Sequence, residues 1–183
     1  MEIKTNISQS TIANSMLYTY SNRGKQVRAN LVYMMTKALG GSLKAAEIVG
    51  EAIESIHAYS LIHDDLPCMD NDSLRRGKPS VWAKYGECSA VLCGDGLLNY
   101  AAEVAAKAFN KCDTIDEYKA CSKAIEVLFN KSGIYGMIGG QVIDTDVDKG
   151  KAKMDEETLS YIHKNKTGAL IESAFMCGAI LGK

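Results

Sequence analysis

The chain has 183 residues, a length typical of one domain with a buried core. Its 22 acidic and 21 basic residues nearly cancel, which makes nucleic acid an unfavourable partner. Hydrophobic residues make up 46% of the chain and only two residues are proline, a composition that excludes intrinsic disorder.

The sequence predicts neither a membrane span nor a secretory signal. Its longest apolar-leaning stretch, Cys88 to Tyr100, contains Asp95 and is shorter than the ~20 residues that a span needs. The N-terminus, Met1 to Ser10, is polar. The six cysteines show no C-x-x-C pair and no zinc-ligand spacing, so we interpret them as reduced thiols. Together these features predict a cytoplasmic protein.

Apolar residues recur at helical spacing through most of the chain. No stretch shows convincing β alternation, and no internal repeat occurs, so the sequence predicts an all-α antiparallel helix bundle forming one domain, residues 1–183. Proline, glycine and polar residues between the second and third helices favour a loop. The predicted helices cover about 27–38, 43–65, 87–110, 116–138 and 155–180, with a loop at 66–80.

Charged residues cluster where the second predicted helix ends. Asp64 and Asp65 follow an apolar run, so their carboxylates repel each other and face the negative end of the helix dipole. A divalent cation would offset both effects, and Mg²⁺ binds one or two protein carboxylates while leaving positions for phosphate oxygens. Asp70 follows these acids, and Arg75 and Arg76 then offer forked donors for phosphate groups. The pattern indicates a metal that bridges to a diphosphate.

The segment SLIHDDLPCMDNDSLRRGKPS resembles the first aspartate-rich motif of the trans-isoprenyl diphosphate synthases, the polyprenyl synthetase family, in its bacterial form. Four further segments are similar to motifs of that family and occur in the family's order. These are RGKQVR at 23–28, CGDGLL at 93–98, GGQVID at 139–144 and HKNKTGAL at 163–170.

The resemblance implies an isoprenoid-synthase-like fold and a prenyltransferase. Such an enzyme ionises an allylic diphosphate (dimethylallyl or geranyl), and the double bond of isopentenyl diphosphate attacks the resulting carbocation. The implied isopentenyl diphosphate site comprises Lys25, Arg28, His57 and Arg76. The implied allylic site comprises Mg²⁺, with Mn²⁺ as a substitute, on Asp64, Asp65 and Asp70, helped by Arg75, Gln141 and Lys166, with Lys166 and Thr167 near the cation.

The resemblance also implies a product length and an assembly. Tyr59 lies five residues before Asp64, where an aromatic side chain limits the tail pocket in the family. We therefore expect farnesyl diphosphate as the product, with geranylgeranyl diphosphate as the alternative. A homodimer is usual for the family.

Several residues also have a structural interpretation. By themselves, the polar residues at 70–73, which are two aspartates, an asparagine and a serine, are typical of a solvated turn. Asp95 is more readily a buried, hydrogen-bonded structural acid than a catalytic one. Lys166 could extend its amine outward to solvent, and Lys25 and Arg28 could lie on a solvated helix face.

Family members carry a second aspartate-rich motif beyond the Lys-Thr motif, and the present sequence reaches Lys183 without one. We therefore expect the chain to correspond to the N-terminal two-thirds of a synthase, with uncertain activity by itself. A non-catalytic diphosphate-binding subunit of a heteromeric prenyl synthase is the first alternative. A metal-dependent diphosphate hydrolase is disfavoured, because no water-activating His or Glu accompanies the acids.

Overall fold

The computed structural model describes residues 9–183. Residues 1–8 of the segment Met1 to Ser10, which we predicted to lack a secretory signal, lie outside the described residues. The described chain is α-helical apart from one short hairpin, so the all-α prediction is confirmed. Its helices are α1 Ser10–Ser21, α2 Val27–Leu39, α3 Leu43–Asp64, α4 Val81–Tyr85, α5 Glu87–Lys107, α6 Ile115–Ser132, α7 Met137–Asp148, α8 Glu156–Ile162 and α9 Ala169–Leu181. A 3₁₀ turn at Ala108–Lys111 follows α5, and a π-helical segment at His163–Gly168 joins α8 to α9. No helix within residues 9–183 is both long enough and apolar enough to cross a membrane.

The described chain forms two compact units. The first contains residues 9–26 and 55–102, and the second contains residues 27–54 and 103–183. The helices α3 and α5 each contribute residues to both units.

In the first unit, the core is built from small and medium apolar side chains of α1, α3 and α5. The Tyr20 hydroxyl of α1 lies 2.7 Å from the Ser55 hydroxyl of α3, which links these two helices through a hydrogen bond. The sulfur of Met16 would lie 3.1 Å from a Cβ added at Gly96, so α1 and α5 also pack closely. The buried apolar set includes Ala13, Met16, Ile56, Tyr59, Ile62, Ala90, Cys93 and Leu97.

In the second unit, α9 packs against both α2 and α6. The Thr36 hydroxyl of α2 lies 3.1 Å from the carbonyl oxygen of Gly178. A Cβ at Gly178 would come within 2.7 Å of the Val32 carbonyl oxygen, so only glycine permits this approach. On the other side, the Cys177 thiol donates to the carbonyl of Ala124 at 3.2 Å. The apolar helix α9 therefore forms the centre of the second core.

The predicted loop at 66–80 contains a hairpin whose strands are β1 Leu74–Arg75 and β2 Lys78–Pro79, paired antiparallel. Each strand has two residues, too few to produce a period-2 pattern in the sequence. The predicted helices beginning at 27, 43 and 87 are confirmed in their starts and, within a few residues, in their ends.

Two expectations about helices are wrong. The helix predicted from Asp116 to Ile138 ends at Ser132, and α7 begins at Met137. A Cβ at Gly136 would lie 1.9 Å from the Lys131 carbonyl oxygen, so the chain turns there in a way that only glycine permits. The second error concerns Asp95, which we expected to be buried: its side chain is 61% exposed.

Candidate functional site

The acidic motif is positioned by the turn that follows α3. The amide of Leu66 donates to the carbonyl of His63 at 3.2 Å, and the amide of Asp70 donates to the carbonyl of Asp64 at 2.9 Å. The second bond returns the chain to the end of the helix, so residue 70 lies beside residue 64 in backbone position. Asp64 is half-buried, and Asp70 is exposed. The turn therefore collects the acids at one end of α3.

The Asp65 carboxylate is buried and engaged by arginine. Its side chain is 4% exposed, and Arg75 Nε donates to its two oxygens at 3.0 and 3.2 Å. Arg75 Nη2 donates to Asp65 Oδ1 as well, which completes a forked, charge-assisted contact. Burial raises the pKa of the Asp65 carboxyl, the Arg75 hydrogen bond and charge oppose that increase, and Asp72 and Asp70 add to it. The hydrogen bond to Asp65 raises the pKa of Arg75, against its own burial.

The hairpin holds its second arginine in an unusual backbone conformation. Arg76 and Gly77 form the two-residue turn with φ of 55° and 75°, both in the left-handed region. Asn-Gly is the favoured pair for such a turn, and arginine there is strained. Arg76 Nη1 donates to the carbonyl of Asn22 at 2.9 Å, and a Cβ at Gly24 would lie 2.8 Å from the guanidinium carbon. The exposed Arg76 side chain is thus directed towards Asn22 and Gly24 by its hydrogen bond.

The remaining predicted residues of the first unit differ in exposure. Lys25 is exposed and His57 is half-buried. Tyr59 is buried, with 6% of its surface exposed, and its ring meets the ring of His63 edge-on at 5.8 Å between centroids. Burial raises the pKa of Tyr59, and the nearby charge of Asp64 raises it further. Tyr59 therefore lies on the buried face of α3.

In the second unit, Arg28 lies at the start of α2 beside an acid. The amides of Arg28 and Ala29 both donate to Glu54 Oε1, at 3.0 and 3.2 Å, so Glu54 caps the N-terminus of α2. Burial lowers the pKa of Arg28, and the charge of Glu54 opposes this effect. Within residues 9–183, the buried Arg28 Nε has no hydrogen-bond partner. A buried cationic donor of this kind suits an anionic ligand.

The Lys-Thr motif forms the π-helical segment at His163–Gly168. π-segments are rare and occur frequently at functional sites. Lys166 Nζ donates to Asp144 Oδ2, and a Cβ at Gly140 would lie 2.1 Å from the Lys166 amide nitrogen. The helix α7 therefore packs its backbone directly against the segment. The structure places Lys166 beside Asp144, while Thr167 is exposed.

Gln141 occupies the same helix as Asp144, one turn earlier. Its Nε2 lies 3.5 Å from the Thr145 hydroxyl, at the outer limit of a hydrogen bond, and the side chain is half-buried. The second unit thus brings Gln141 and Lys166 onto adjoining elements.

The acidic motif offers oxygen donors suited to Mg²⁺. Within residues 9–183, no group of three or more His, Cys, Asp or Glu side chains is already arranged as a metal cage. Mg²⁺ does not need one, because it usually takes one or two carboxylates and keeps its remaining positions for water and phosphate. The charges of Asp70 and Asp72 oppose ionisation of Asp65, which is the electrostatic situation that a cation relieves. The donors present therefore fit this metal.

Sequence reasoning missed two residues that contact predicted site residues. Asp144 pairs with Lys166, and Asn22 accepts from Arg76 through its carbonyl and from Lys78 Nζ through its side chain. The spacing of Asp144, three residues after Gln141 on a helix, was a usable signal. Asn22 acts in part through its backbone, which leaves no signal in side-chain chemistry.

The chain is similar to known prenyl diphosphate synthases. It is 40% identical over 171 residues to the farnesyl diphosphate synthase of Bacillus subtilis (strain 168), covering 93% of this chain and 56% of that protein. It is 43% identical over 172 residues to the geranylgeranyl diphosphate synthase of Cyanophora paradoxa, covering 93% of this chain and 55% of that protein. The chain thus spans about half the length of these curated relatives.

Solved structures and a family model agree with these similarities. An apo crystal structure of an FPP/GFPP synthase from Zymomonas mobilis matches with a TM-score of 0.88 and 39% identity, covering 97% of this chain and 62% of that one. The match identifies the all-α fold as isoprenoid-synthase-like. The sequence model of the family described as Polyprenyl synthetase matches residues 9–183. The chain therefore belongs to the polyprenyl synthetase family.

Proposed function

We propose that this chain provides the metal and diphosphate site of a trans-prenyltransferase that joins isopentenyl diphosphate to an allylic diphosphate. The observation that carries the proposal is the arrangement at the end of α3. There the buried carboxylate of Asp65 is held by Arg75, between the acids of the turn and the cations of the hairpin. Acidic metal donors and basic phosphate donors thus belong to one local structure. Because one family model spans residues 9–183, we treat the metal donors and the phosphate donors as part of one synthase domain.

In the first unit, we assign metal binding to Asp64, Asp65 and Asp70. Bound Mg²⁺, or Mn²⁺ in its place, would supply positive charge that stabilises the diphosphate leaving group. Arg75, whose guanidinium faces the Asp65 carboxylate, would donate to diphosphate oxygens. A cation held at Asp65 would then balance the buried carboxylate in place of Arg75.

The other cations of the first unit serve the second substrate in this proposal. Arg76, held in direction by the strained turn and by the Asn22 carbonyl, together with Lys25 and His57, would bind the diphosphate of isopentenyl diphosphate. A fixed cation loses little freedom when the ligand binds, which supports a binding role for Arg76.

In the second unit, Lys166 and Gln141 would bind oxygens of the allylic diphosphate, and Arg28 would bind isopentenyl diphosphate. Cationic donors placed before the reaction stabilise the charge that grows on a departing diphosphate without further reorganisation. Asp144 accepts a hydrogen bond from the Lys166 ammonium and would act as a positioning residue. The Thr167 hydroxyl and the backbone carbonyls of the segment would stabilise the allylic cation.

We further propose farnesyl diphosphate as the product. The named relatives include both farnesyl and geranylgeranyl synthases, so family membership alone does not select a length. The large, buried ring of Tyr59 lies about one and a half turns before Asp64, roughly 7 Å along the helix axis. A rigid ring at that depth would stop chain growth early. We also expect a homodimer, which sedimentation velocity would detect.

Calorimetry with Mg²⁺ and inorganic pyrophosphate tests the binding site, and a product assay with labelled isopentenyl diphosphate and geranyl diphosphate tests the reaction. Pyrophosphate should bind only when Mg²⁺ is present, and Asp64→Asn should weaken that binding at least tenfold. Asp113→Asn, at an exposed acid elsewhere, should not. Absence of magnesium-dependent pyrophosphate binding would refute both the synthase and the alternative of a non-catalytic diphosphate-binding subunit.

A further inference from the structure

Two cysteines of the second unit lie in direct sulfur contact, away from the residues assigned above. The Cys112 thiol donates to the sulfur of Cys121 at 3.3 Å, and it also lies 3.5 Å from the carbonyl oxygen of Ala108. Cys112 follows the 3₁₀ turn, and Cys121 lies in the second turn of α6. None of the six cysteines forms a disulfide in the structure.

The two thiols differ in access to solvent. Cys121 is 1% exposed, while Cys112 is half-buried, so an oxidant reaches the sulfur of Cys112 first. Burial raises the pKa of Cys121 to about 12, and the hydrogen bond and charge of Cys112 add to the increase. Cys121 therefore stays protonated, and Cys112 is the thiol that an oxidant meets first.

The local backbone keeps this pair together. The Thr114 hydroxyl accepts from the Glu117 amide at 3.2 Å, and the Glu117 carboxylate accepts from the amides of Thr114 and Asp113. This capping box fixes the start of α6 between the two cysteines. The sulfurs need to approach by only about 1.3 Å to reach the ~2.05 Å length of a disulfide.

We propose that Cys112 and Cys121 form an oxidation site that reacts with hydroperoxides to give an intramolecular disulfide. The Cys112 thiolate attacks a peroxide oxygen, the O–O bond breaks, and the departing hydroxide takes a proton to become water. Cys112 is then a sulfenic acid. The Cys121 sulfur attacks the Cys112 sulfur, the S–O bond breaks, and the leaving hydroxide takes the Cys121 proton as a second water. Two thiols are oxidised while one hydrogen peroxide is reduced to two waters.

The first test is alkylation of the whole chain after exposure to excess hydrogen peroxide at low protein concentration. After denaturation and treatment with N-ethylmaleimide, the untreated chain should carry six labels, one for each cysteine. The peroxide-treated chain should carry two fewer labels and have lost two hydrogens in mass. Trypsin should then release one linked pair made of residues 112–119 and residues 120–123, because lysines end both peptides.

Variants identify the sulfurs involved. Cys112→Ser and Cys121→Ala should each abolish the loss of two labels, while the matched control Cys88→Ser, at an exposed cysteine, should keep it. Dimedone should label position 112 in Cys121→Ala, because the sulfenic acid there has no neighbouring thiol. Circular dichroism of each variant checks that α6 remains folded. Retention of all six labels in the treated wild-type chain, or an unchanged loss in Cys121→Ala, would overturn the proposal.

Discussion

Arg75 donates hydrogen bonds to both carboxylate oxygens of Asp65, whose side chain is almost fully buried. The pair has a structural role and a role in the proposed chemistry. In the structure, arginine balances a charge that burial disfavours. In the proposed function, the same arginine would donate to the diphosphate, and a metal held by the acids would balance the Asp65 charge in its place.

We expect Arg75→Ala to lower the free energy of unfolding by about 1–3 kcal/mol, because a buried carboxylate loses its partner. Urea denaturation at neutral pH measures the change. Lys78→Ala is the matched control, because Lys78 belongs to the same hairpin but donates to the Asn22 side chain in an exposed hydrogen bond. This variant should lower the free energy of unfolding by less than about 1 kcal/mol. Equal losses in the two variants would show that the Asp65 contact is unimportant for stability.

The same variant makes a prediction about the metal. Without Arg75, Mg²⁺ has no competing cation at Asp65 and should bind more tightly in the absence of diphosphate, while Mg²⁺-pyrophosphate should bind more weakly. Calorimetry of both titrations separates these effects. Weaker binding of Mg²⁺ alone to Arg75→Ala would contradict the exchange of partners.

Gly140→Ala should destabilise the second unit although alanine normally favours a helix over glycine by about 0.5–1 kcal/mol. Its Cβ would lie 2.1 Å from the Lys166 amide nitrogen, and backbone atoms cannot move aside as a side-chain tip can. We expect a net loss of about 1–3 kcal/mol by thermal or urea unfolding. Gly96→Ala is the control, because its Cβ meets only the flexible side chain of Met16. A stabilised Gly140→Ala would disprove the close approach.

The capping box of α6 should make stability depend on acid pH. Hydrogen bonds from the amides of Asp113 and Thr114 hold the pKa of Glu117 below its ordinary value of 4.5. A depressed pKa means that this carboxylate stabilises the fold fully above pH 4.5, and that its contribution is lost as pH falls through the lower folded value. Wild type should therefore be more stable than Glu117→Ala at neutral pH, and the difference should shrink below pH 4.5. A pH-independent difference would exclude the ionised carboxylate as its source.

Tyr59→Ala should lengthen the product, because removing a buried ring opens space along α3. Reverse-phase chromatography of dephosphorylated products should show a shift from C15 alcohol toward C20. Tyr135→Ala is the matched control, because that tyrosine is 82% exposed and should leave the product unchanged. An unaltered product from Tyr59→Ala would remove its role in setting length.

The sequence predicted those parts of the fold that depend on local signals. The end of α3 follows from the proline at 67 and the acids before it, and the structure ends the helix at Asp64. The break between α6 and α7 was missed because apolar residues continue at helical spacing past Ser132. The helix ends where Gly133 adopts an extended backbone, and Gly136 then approaches the Lys131 carbonyl, so the two glycines were the local signal that the apolar spacing hid.

The wrong prediction about which face of α5 is buried also has a physical cause. Asp95 shares helical spacing with apolar neighbours, yet the buried face of α5 beside it includes Ala90, Cys93 and Leu97. Small side chains such as Ala90 and Cys93 allow close packing but give a weak hydrophobic signal in the sequence. In the candidate site, the acids and arginines were recognisable from charge alone. The pairing of Lys166 with Asp144 required the folded chain to bring two distant segments together.

The π-helical segment allows the chain to carry one residue more than an ordinary helix would hold over the same length. Because the extra residue is accommodated within His163–Gly168, loss of a single codon there would turn the segment into a regular helix without changing the orientation of α9. The buried side chains of α9 would still face α2 and α6. The change would instead fall on the widened turn that places Lys166 beside Asp144.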